Sequence, residues 1–506
     1  MIPGRRRPEI GRFRLPLPAT SGYSVRVPTL PTATPFMTTN AQPLTPSAQK
    51  PTRVRYSILG LLCLLAMITY MDRAMYGSAK GDMMAALGQP EENFFLVLVF
   101  FQLAYALFEI PTGWMGDMFG PRKTLIRIVL WWSLFVALTA CAGTIFPLAS
   151  WGMAAFVIFL LIQFCFGMGE AGAFPNISKS IYNWFPENRR GFAKGITWTA
   201  ARLMGGLTPF IWVLLVTIGG LEWREALWLF AGVAVIWCVA FAAWFRNKPE
   251  EHPAVNAAEA ELINAGKGHY SDTGGVPWRK IFTNKNVLGL CLMYMVTNFN
   301  WYFLMYYLPS TLKGQFPQWN ADNEGKLLLA LLAGAPLLVG MGGCMLGGYL
   351  TDWYIGRTGD RKWGRRLFPM IGYGMAGLCY LIATFFTDNL VIFATCLILV
   401  GFFNDLIMGP SWATAQDIGR RYSAIVSGTM NMVGNLGGAL GLLITGLILA
   451  EYTVKETTAG VETSVVQPAG FIICFTMYAI IYGLGVLSWL LIDPTKPIEA
   501  EEPKLN

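Results

Sequence analysis

The residue best placed to do chemistry is a lone acid in an apolar run. Residues 163–176 read QFCFGMGEAGAFPN, and Glu170 is their one ionisable carboxyl. Inside a membrane span such a group costs about 3 kcal/mol or more, so it usually faces the protein interior and serves an ion or substrate path. Glu170 is therefore expected to carry a coupled proton; the alternative is a protonated acid that only hydrogen-bonds a neighbouring helix. On a helix Gln163, Gly167 and Glu170 share one face. Gly167, Gly169, Ala171, Gly172 and Ala173 let a helix or ligand come close, and Phe174-Pro175 restricts the helix. A buried cation stands in TWTAARLMGGLTP, residues 197–209: Arg202 either faces the same cavity or packs against a nearby carboxylate. Asn298, Tyr302 and Tyr306 recur at i, i+4 and i+8, and Asn431 and Asn435 lie four apart. Their amide and phenol groups both donate and accept, which suits a hydroxylated acid. Trp412, just past Pro410, either stacks on a sugar ring or anchors at an interface. Glu109 and Asp405 are further acids in apolar runs, and Glu109, two turns before Asp117, is expected in a gate network.

These residues need helices to carry them. The 506 residues are 54% hydrophobic and 13% charged with a mean hydropathy of +0.46, whereas soluble domains are about 25% charged. A polytopic membrane protein follows. Hydropathy places twelve spans near 57–80, 93–116, 124–145, 151–176, 191–217, 225–246, 286–312, 326–353, 367–387, 389–413, 423–450 and 469–492. Basic residues follow the even-numbered spans (Arg122, Lys123 and Arg127; Arg189, Arg190 and Lys194; Arg357, Arg361, Lys362, Arg365 and Arg366; Arg420 and Arg421), which puts these loops and both termini in the cytoplasm. The net charge of +8 is thus an orientation signal and no nucleic-acid footprint.

Domain boundaries follow from composition. Residues 1–55 are expected to be a disordered cytoplasmic tail; an organelle transit peptide, or a start at Met37, is the alternative. A first six-helix bundle covers 56–246, a polar cytoplasmic loop 247–284, a second bundle 285–492 and a cytoplasmic tail 493–506. All nine cysteines lie in apolar runs without a CxxC pair, so no metal or disulfide framework is expected. Both histidines fall in the central loop, which leaves proton work to carboxylates. Neither a phosphate loop nor a catalytic triad is present, so the chain reads as no enzyme, with no cofactor beyond a coupling ion, H+.

The halves also repeat. After span 2, GWMGDMFGPRK sets Gly113 and Asp117 four apart; after span 8, GYLTDWYIGRTGDRKWGRR does the same with Gly348 and Asp352. The first of these resembles the loop motif of the major facilitator superfamily. YMDRAMYGSA, FEIPTGWMGD, GEAGAFPN, WFPENRRGFAKG and SGTMNMVGNLGGALG together resemble its anion:cation symporter family, over nearly the whole membrane domain. That family includes bacterial hexuronate, galactonate and glucarate transporters, with sialin and the vesicular glutamate transporters as animal relatives. The resemblance implies an all-α membrane protein of 12 transmembrane helices in two pseudo-symmetric six-helix halves. It implies Asp72 as proton carrier, Arg73 as anion contact, Glu170 as coupling acid and Tyr105 as a substrate hydrogen bond. Asp117, with Arg122 and Lys123, would be a latch whose counterpart is Asp352. Asp72 is expected to be the nearest counter-charge of Arg73. Many members carry an arginine two turns before the span 4 acid; Gln163 stands there in this chain, and Arg202 is the candidate replacement.

The expected function is proton-coupled symport of a small organic anion, a sugar acid such as a hexuronate or aldonate, by alternating access. The carrier is expected as a monomer in the bilayer of the cell's inner membrane, an organelle membrane being the alternative. An exchanger or exporter of organic anions, or a neutral-solute transporter of the same fold, competes with it. A neutral cargo would need neither arginine.

Overall fold

The computed structural model describes residues 50–141, 153–264, 277–419, 422–458 and 461–498. Residues 1–49 of the expected tail, Met37 among them, Arg420, Arg421 and the side chains of Asp117 and Arg190 lie outside the described residues; the end of that tail is described, and the helix of span 1 begins within it at Val54. Among the described residues, twelve helices are long and apolar enough to cross a membrane: Val54–Ala86, Glu91–Gly116, Pro121–Ala140, Met153–Trp184, Phe192–Ile218, Trp223–Trp244, Lys285–Gln315, Asn323–Thr358, Arg361–Phe385, Leu390–Gly419, Ile425–Glu451 and Pro468–Leu491. They match the hydropathy reading in number and order and are numbered here as spans 1 to 12.

Packing repeats after six spans. Span 1 lies on span 5, span 2 on span 4 and span 3 on span 6; span 7 lies on span 11, span 8 on span 10 and span 9 on span 12. Between the halves span 2 runs along span 11 and span 8 along span 5, the same contact shifted by six. A repeat interface of this kind is where transporters of repeated halves put their site.

Small residues set how close the helices come. A Cβ on Gly334 of span 8 would lie 1.7 Å from the carbonyl oxygen of Gly206 in span 5, and one on Gly77 of span 1 would lie 3.0 Å from the Tyr306 carbonyl oxygen of span 7. Lipid tails are as apolar as leucine, so contact between backbones replaces the hydrophobic force as the source of helix association.

Two of the spans break just ahead of a proline, although Pro111, Pro209, Pro336 and Pro369 lie within unbroken helices. Span 4, expected as one rod to residue 176, is two helices, Met153–Glu170 and Ala173–Trp184. Pro175 offers no N–H to the carbonyl of Ala171, and its ring crowds that carbonyl, so the helix ends at Glu170. Span 10 repeats this with Leu390–Leu406 and Met408–Gly419 ahead of Pro410. In span 7 a π-helical turn, Phe303–Tyr307, follows the helix Lys285–Tyr302.

Two connections differ from expectation. Within the central segment, read as a loop, a helix spans Ala257–Asn264. Its buried Glu259 accepts the Thr52 hydroxyl at 2.5 Å, the Val54 and Arg55 N–H groups, and the Arg55 guanidinium at 2.9 Å, tying the start of span 1 to the segment between the halves. Between spans 11 and 12 an antiparallel hairpin pairs Thr453–Thr458 with Val461–Val466, the one departure from helix among the described elements.

The Gly206/Gly334 crossing gives a direct test. Gly334→Ala puts a methyl onto a backbone oxygen, and such overpacking costs about 1–3 kcal/mol. The unfolding midpoint in detergent should fall, whereas Gly60→Ala, whose added Cβ meets nothing within 4 Å, should leave it unchanged or raised. Equal midpoints would show that the crossing has room to spare.

Candidate functional site

Arg73 and Glu170 form an ion pair between spans 1 and 4, with Nε 2.6 Å from Oε1. Glu170 is 1% exposed, Arg73 5% and Asp72 1%, so all three are cut off from water. The expected pairing of Asp72 with Arg73 is not what forms. Neighbours on a helix point about 100° apart, so Asp72 cannot follow Arg73, and neither Asp72 oxygen has a hydrogen-bond partner. Arg73 Nη2 and Glu170 Oε2 are likewise unpartnered. Buried polar groups are nearly always satisfied in proteins, so these atoms are the ones with capacity left to take a proton or a ligand. Tyr105 meets the cation with its ring, 4.3 Å from the guanidinium carbon.

A second pair lies across the halves. Arg202 Nη2 of span 5 is 2.9 Å from Asp405 Oδ1 of span 10, and Arg202 Nη1 donates to the Tyr70 hydroxyl at 3.3 Å. The Trp301 ring lies 4.1 Å from its guanidinium carbon. Of the two readings of Arg202, the structure places it against a carboxylate, one the sequence reading held only as a further acid. Glu170 and Asp405 hold equivalent positions in the two halves. Each lies at the end of the first helix of a broken span, five residues before a proline, Pro175 or Pro410. That shared spacing is the signal that could have found the second pair.

The remaining candidates separate into groups. Asn435 Oδ1 accepts from Gln102 Nε2 and from the Tyr302 hydroxyl, both at 2.9 Å, and its Nδ2 donates to Glu109 Oε2 at 3.2 Å. Asn431 Nδ2 donates to the other Glu109 oxygen. Glu109 thus sits with the candidate binding residues of span 11 and joins the halves there. Tyr306 stacks on Tyr302 with centroids 5.6 Å apart, and its buried hydroxyl has no partner. Tyr302 packs against Gly438 of span 11, and the π-helical turn begins just after it. Asn298 lies against Gly434 of span 11, its Nδ2 3.0 Å from where a Cβ there would be. Gln163 donates to Thr139 of span 3 at 2.9 Å. Trp412 faces Trp198 at 6.4 Å and carries Lys194 Nζ 4.1 Å from its ring, a contact between the halves on the side of the basic loops. Tyr70, Gln102 and Trp301 were missed because single aromatics or amides in apolar runs carry no pattern.

The gate candidates sit at the ends of the spans. Arg122 caps span 6, its backbone N–H on Asn247 Oδ1 at 3.0 Å and its guanidinium on the Ala242 carbonyl; Lys123 is exposed. In the second half Asp352 reaches Arg365 at 3.4 Å, while Asp417, which the sequence reading passed over, holds Arg365 at 3.1 Å and Arg361 as well. No three His, Cys, Asp or Glu side chains among the described residues converge to hold a metal ion.

With broken spans, repeated halves and a charged centre, the chain has the build of a membrane transporter. The family model "Major Facilitator Superfamily" matches residues 62–442, and the chain belongs to that family. Among proteins it resembles, a "Probable sulfoacetate transporter SauU" of Cupriavidus necator is 30% identical, covering 89% of this chain and 97% of that one. A "Probable galactarate/D-glucarate transporter GudP" of Bacillus subtilis is 27% identical over 87% and 94%. A "D-galactonate transporter" of Escherichia coli is 26% identical over 80% and 92%. The fold matches a bacterial homolog of the human lysosomal transporter Spinster in its inward-facing, unoccupied conformation (TM-score 0.64, 17% identity, 87% of this chain and 97% of that one). It also matches a D-xylose-proton symporter (0.65, 13%, 87% and 98%). These are transporters, and the chain is a multi-pass membrane transport protein and no enzyme.

The pairing of Arg73 fixes an order of stabilities. Glu170→Ala strands a buried guanidinium, a loss of about 3–5 kcal/mol, whereas Asp72→Asn removes a carboxylate that holds no partner and should destabilise far less. Unfolding midpoints of the two purified variants read the order, and a greater loss in Asp72→Asn would show that Asp72 is the real counter-charge.

Proposed function

We propose that the chain is a proton-coupled importer of a small organic anion, a sugar acid such as a hexuronate or aldonate being the leading class, working by alternating access. One observation carries the reading: Arg73 is held by Glu170 with an unpartnered Asp72 beside it. Protonating Glu170 frees Arg73 for an incoming carboxylate, and the incoming carboxylate restores the pairing of Arg73, so proton and anion load together. The relatives named for sulfoacetate, galactarate or D-glucarate, and D-galactonate support an anionic cargo. The amide and phenol groups of Asn435, Asn431 and Tyr302 suit a hydroxylated one.

The basic loops support an orientation with both termini on the cytoplasmic side of a cell's inner membrane. The carrier is read as a monomer in the bilayer. A monoanion taken up with more than one proton moves net positive charge inward, and about 2.3 kcal/mol per charge per 100 mV supports roughly fifty-fold accumulation.

Proteoliposomes with an acid exterior test this. Sugar-acid accumulation should collapse with a protonophore, and Glu170→Gln, a neutral mimic of the protonated acid, should stop pH-driven accumulation while counterflow exchange continues. Accumulation at wild-type level in that variant, or uptake indifferent to the protonophore, would overturn the proposal.

A further inference from the structure

The centre contains one cation more than a monoanion needs. Arg202 is 6% exposed and Asp405 0%, and holding a second guanidinium in a dry interior is costly unless it has a task there. Both arginines address the same ring. The guanidinium carbon of Arg73 lies 5.8 Å from the Tyr70 centroid and that of Arg202 5.5 Å from it, so the two cations can be no more than about 11 Å apart. Each is held by one carboxylate from the broken helix of span 4 or span 10, and each of those acids has a second oxygen with no partner, Glu170 Oε2 and Asp405 Oδ2. Arg202 and Asp405 therefore repeat, across the halves, the arrangement that Arg73 and Glu170 make within one.

We infer that the cargo is a short-chain dianion, with one anionic group on Arg73 and the second on Arg202, where Asp405 holds its place until the cargo arrives. This rests on the organic-anion reading above and narrows it. A charge-assisted fork puts a guanidinium carbon about 4 Å from the carbon of a carboxylate or the sulfur of a sulfonate. Two such forks and a short carbon chain fit the available distance. Because Asp405 belongs to the second half and Arg202 to the first, occupying the second cation, with a proton taken up by the displaced Asp405 so that no bare carboxylate is left buried, also dissolves a buried ion pair between the halves. Binding of the far end of the cargo is thereby tied to the contact that alternating access rearranges.

The test compares an aldarate with the aldonate of the same carbon skeleton, two cargoes that differ in one terminal anionic group, as competitors in counterflow. In the wild type the aldarate should win by about ten- to a hundred-fold, the value of one charge-assisted contact. Arg202→Gln should bring the ratio close to one. Since that variant strands Asp405 and can fail to fold, Arg202→Gln combined with Asp405→Asn removes both charges at once and should show the same collapse. Equal competition by the two cargoes in the wild type overturns the inference and leaves the anion importer standing, as does a ratio that persists in the double variant. Failure of every organic anion to compete would sink the importer reading and this inference with it.

Discussion

Charge in a dry interior is the constraint on which the rest depends. A guanidinium without a partner between apolar helices is among the most costly groups a membrane protein can hold, and Arg73 and Arg202 stand buried at the centre of this one. Each is matched by one carboxylate, Arg73 by Glu170 at 2.6 Å and Arg202 by Asp405 at 2.9 Å. Aromatic faces cover the rest of each cation: Tyr105 lies under Arg73 and Trp301 under Arg202, both within 4.3 Å. Such faces attract a cation without offering a second formal charge, so the acid stays the partner that an incoming anion must replace.

The backbone is shaped to bring those acids in. A continuous helix would keep the carbonyls near its middle engaged, but Pro175 and Pro410 end the first helices of spans 4 and 10 within a residue of Glu170 and Asp405. Close crossings do the rest. Span 5 meets span 8 at Gly206 and Gly334 with the backbones in contact, which brings Arg202 within reach of the opposite half. Larger residues at that crossing would separate the helices and with them the pair.

Much of this was legible in the sequence, for physical reasons that differ from element to element. Twelve spans followed from hydropathy because lipid forces each span to be long and apolar. The repeat followed from two loops with the same spacing. Glu170 was legible because a lone acid in an apolar run is costly. Its partner was not: Asp72 and Arg73 are adjacent in sequence, yet adjacency on a helix separates side chains, and Glu170 comes from 97 residues away. Arg202 was seen as buried, but its carboxylate lies 203 residues on and only the spacing from Pro410 points to it. The polar face of span 7 was read from helical periodicity, and Asn298 and Tyr302 do meet span 11 at Gly434 and Gly438; the π-helical turn at Phe303–Tyr307 carries no signal in that periodicity. The hairpin after span 11 is a short polar connection whose alternation was too brief to stand out.

In the proposed mechanism the two pairs would divide the work between them. In the empty carrier both arginines are neutralised, so the halves can change position without dragging an uncompensated charge through an apolar interface. A proton on Glu170 with no anion on Arg73 leaves a bare cation; an anion on Arg73 with Glu170 still ionised leaves a surplus negative charge. Either state carries the penalty of an unpaired buried ion, several kcal/mol, and on the proposed reading this penalty would couple anion to proton without any moving part beyond the pair itself. The pair inside the first half would travel with that half, Arg73 being matched either by Glu170 or by the anion without crossing the interface. The pair between the halves cannot, because Arg202 and Asp405 belong to bodies that move relative to one another. Charge compensation at Arg73 thus sets what is carried together, and charge compensation at Arg202 sets whether the halves are held to each other while it is carried.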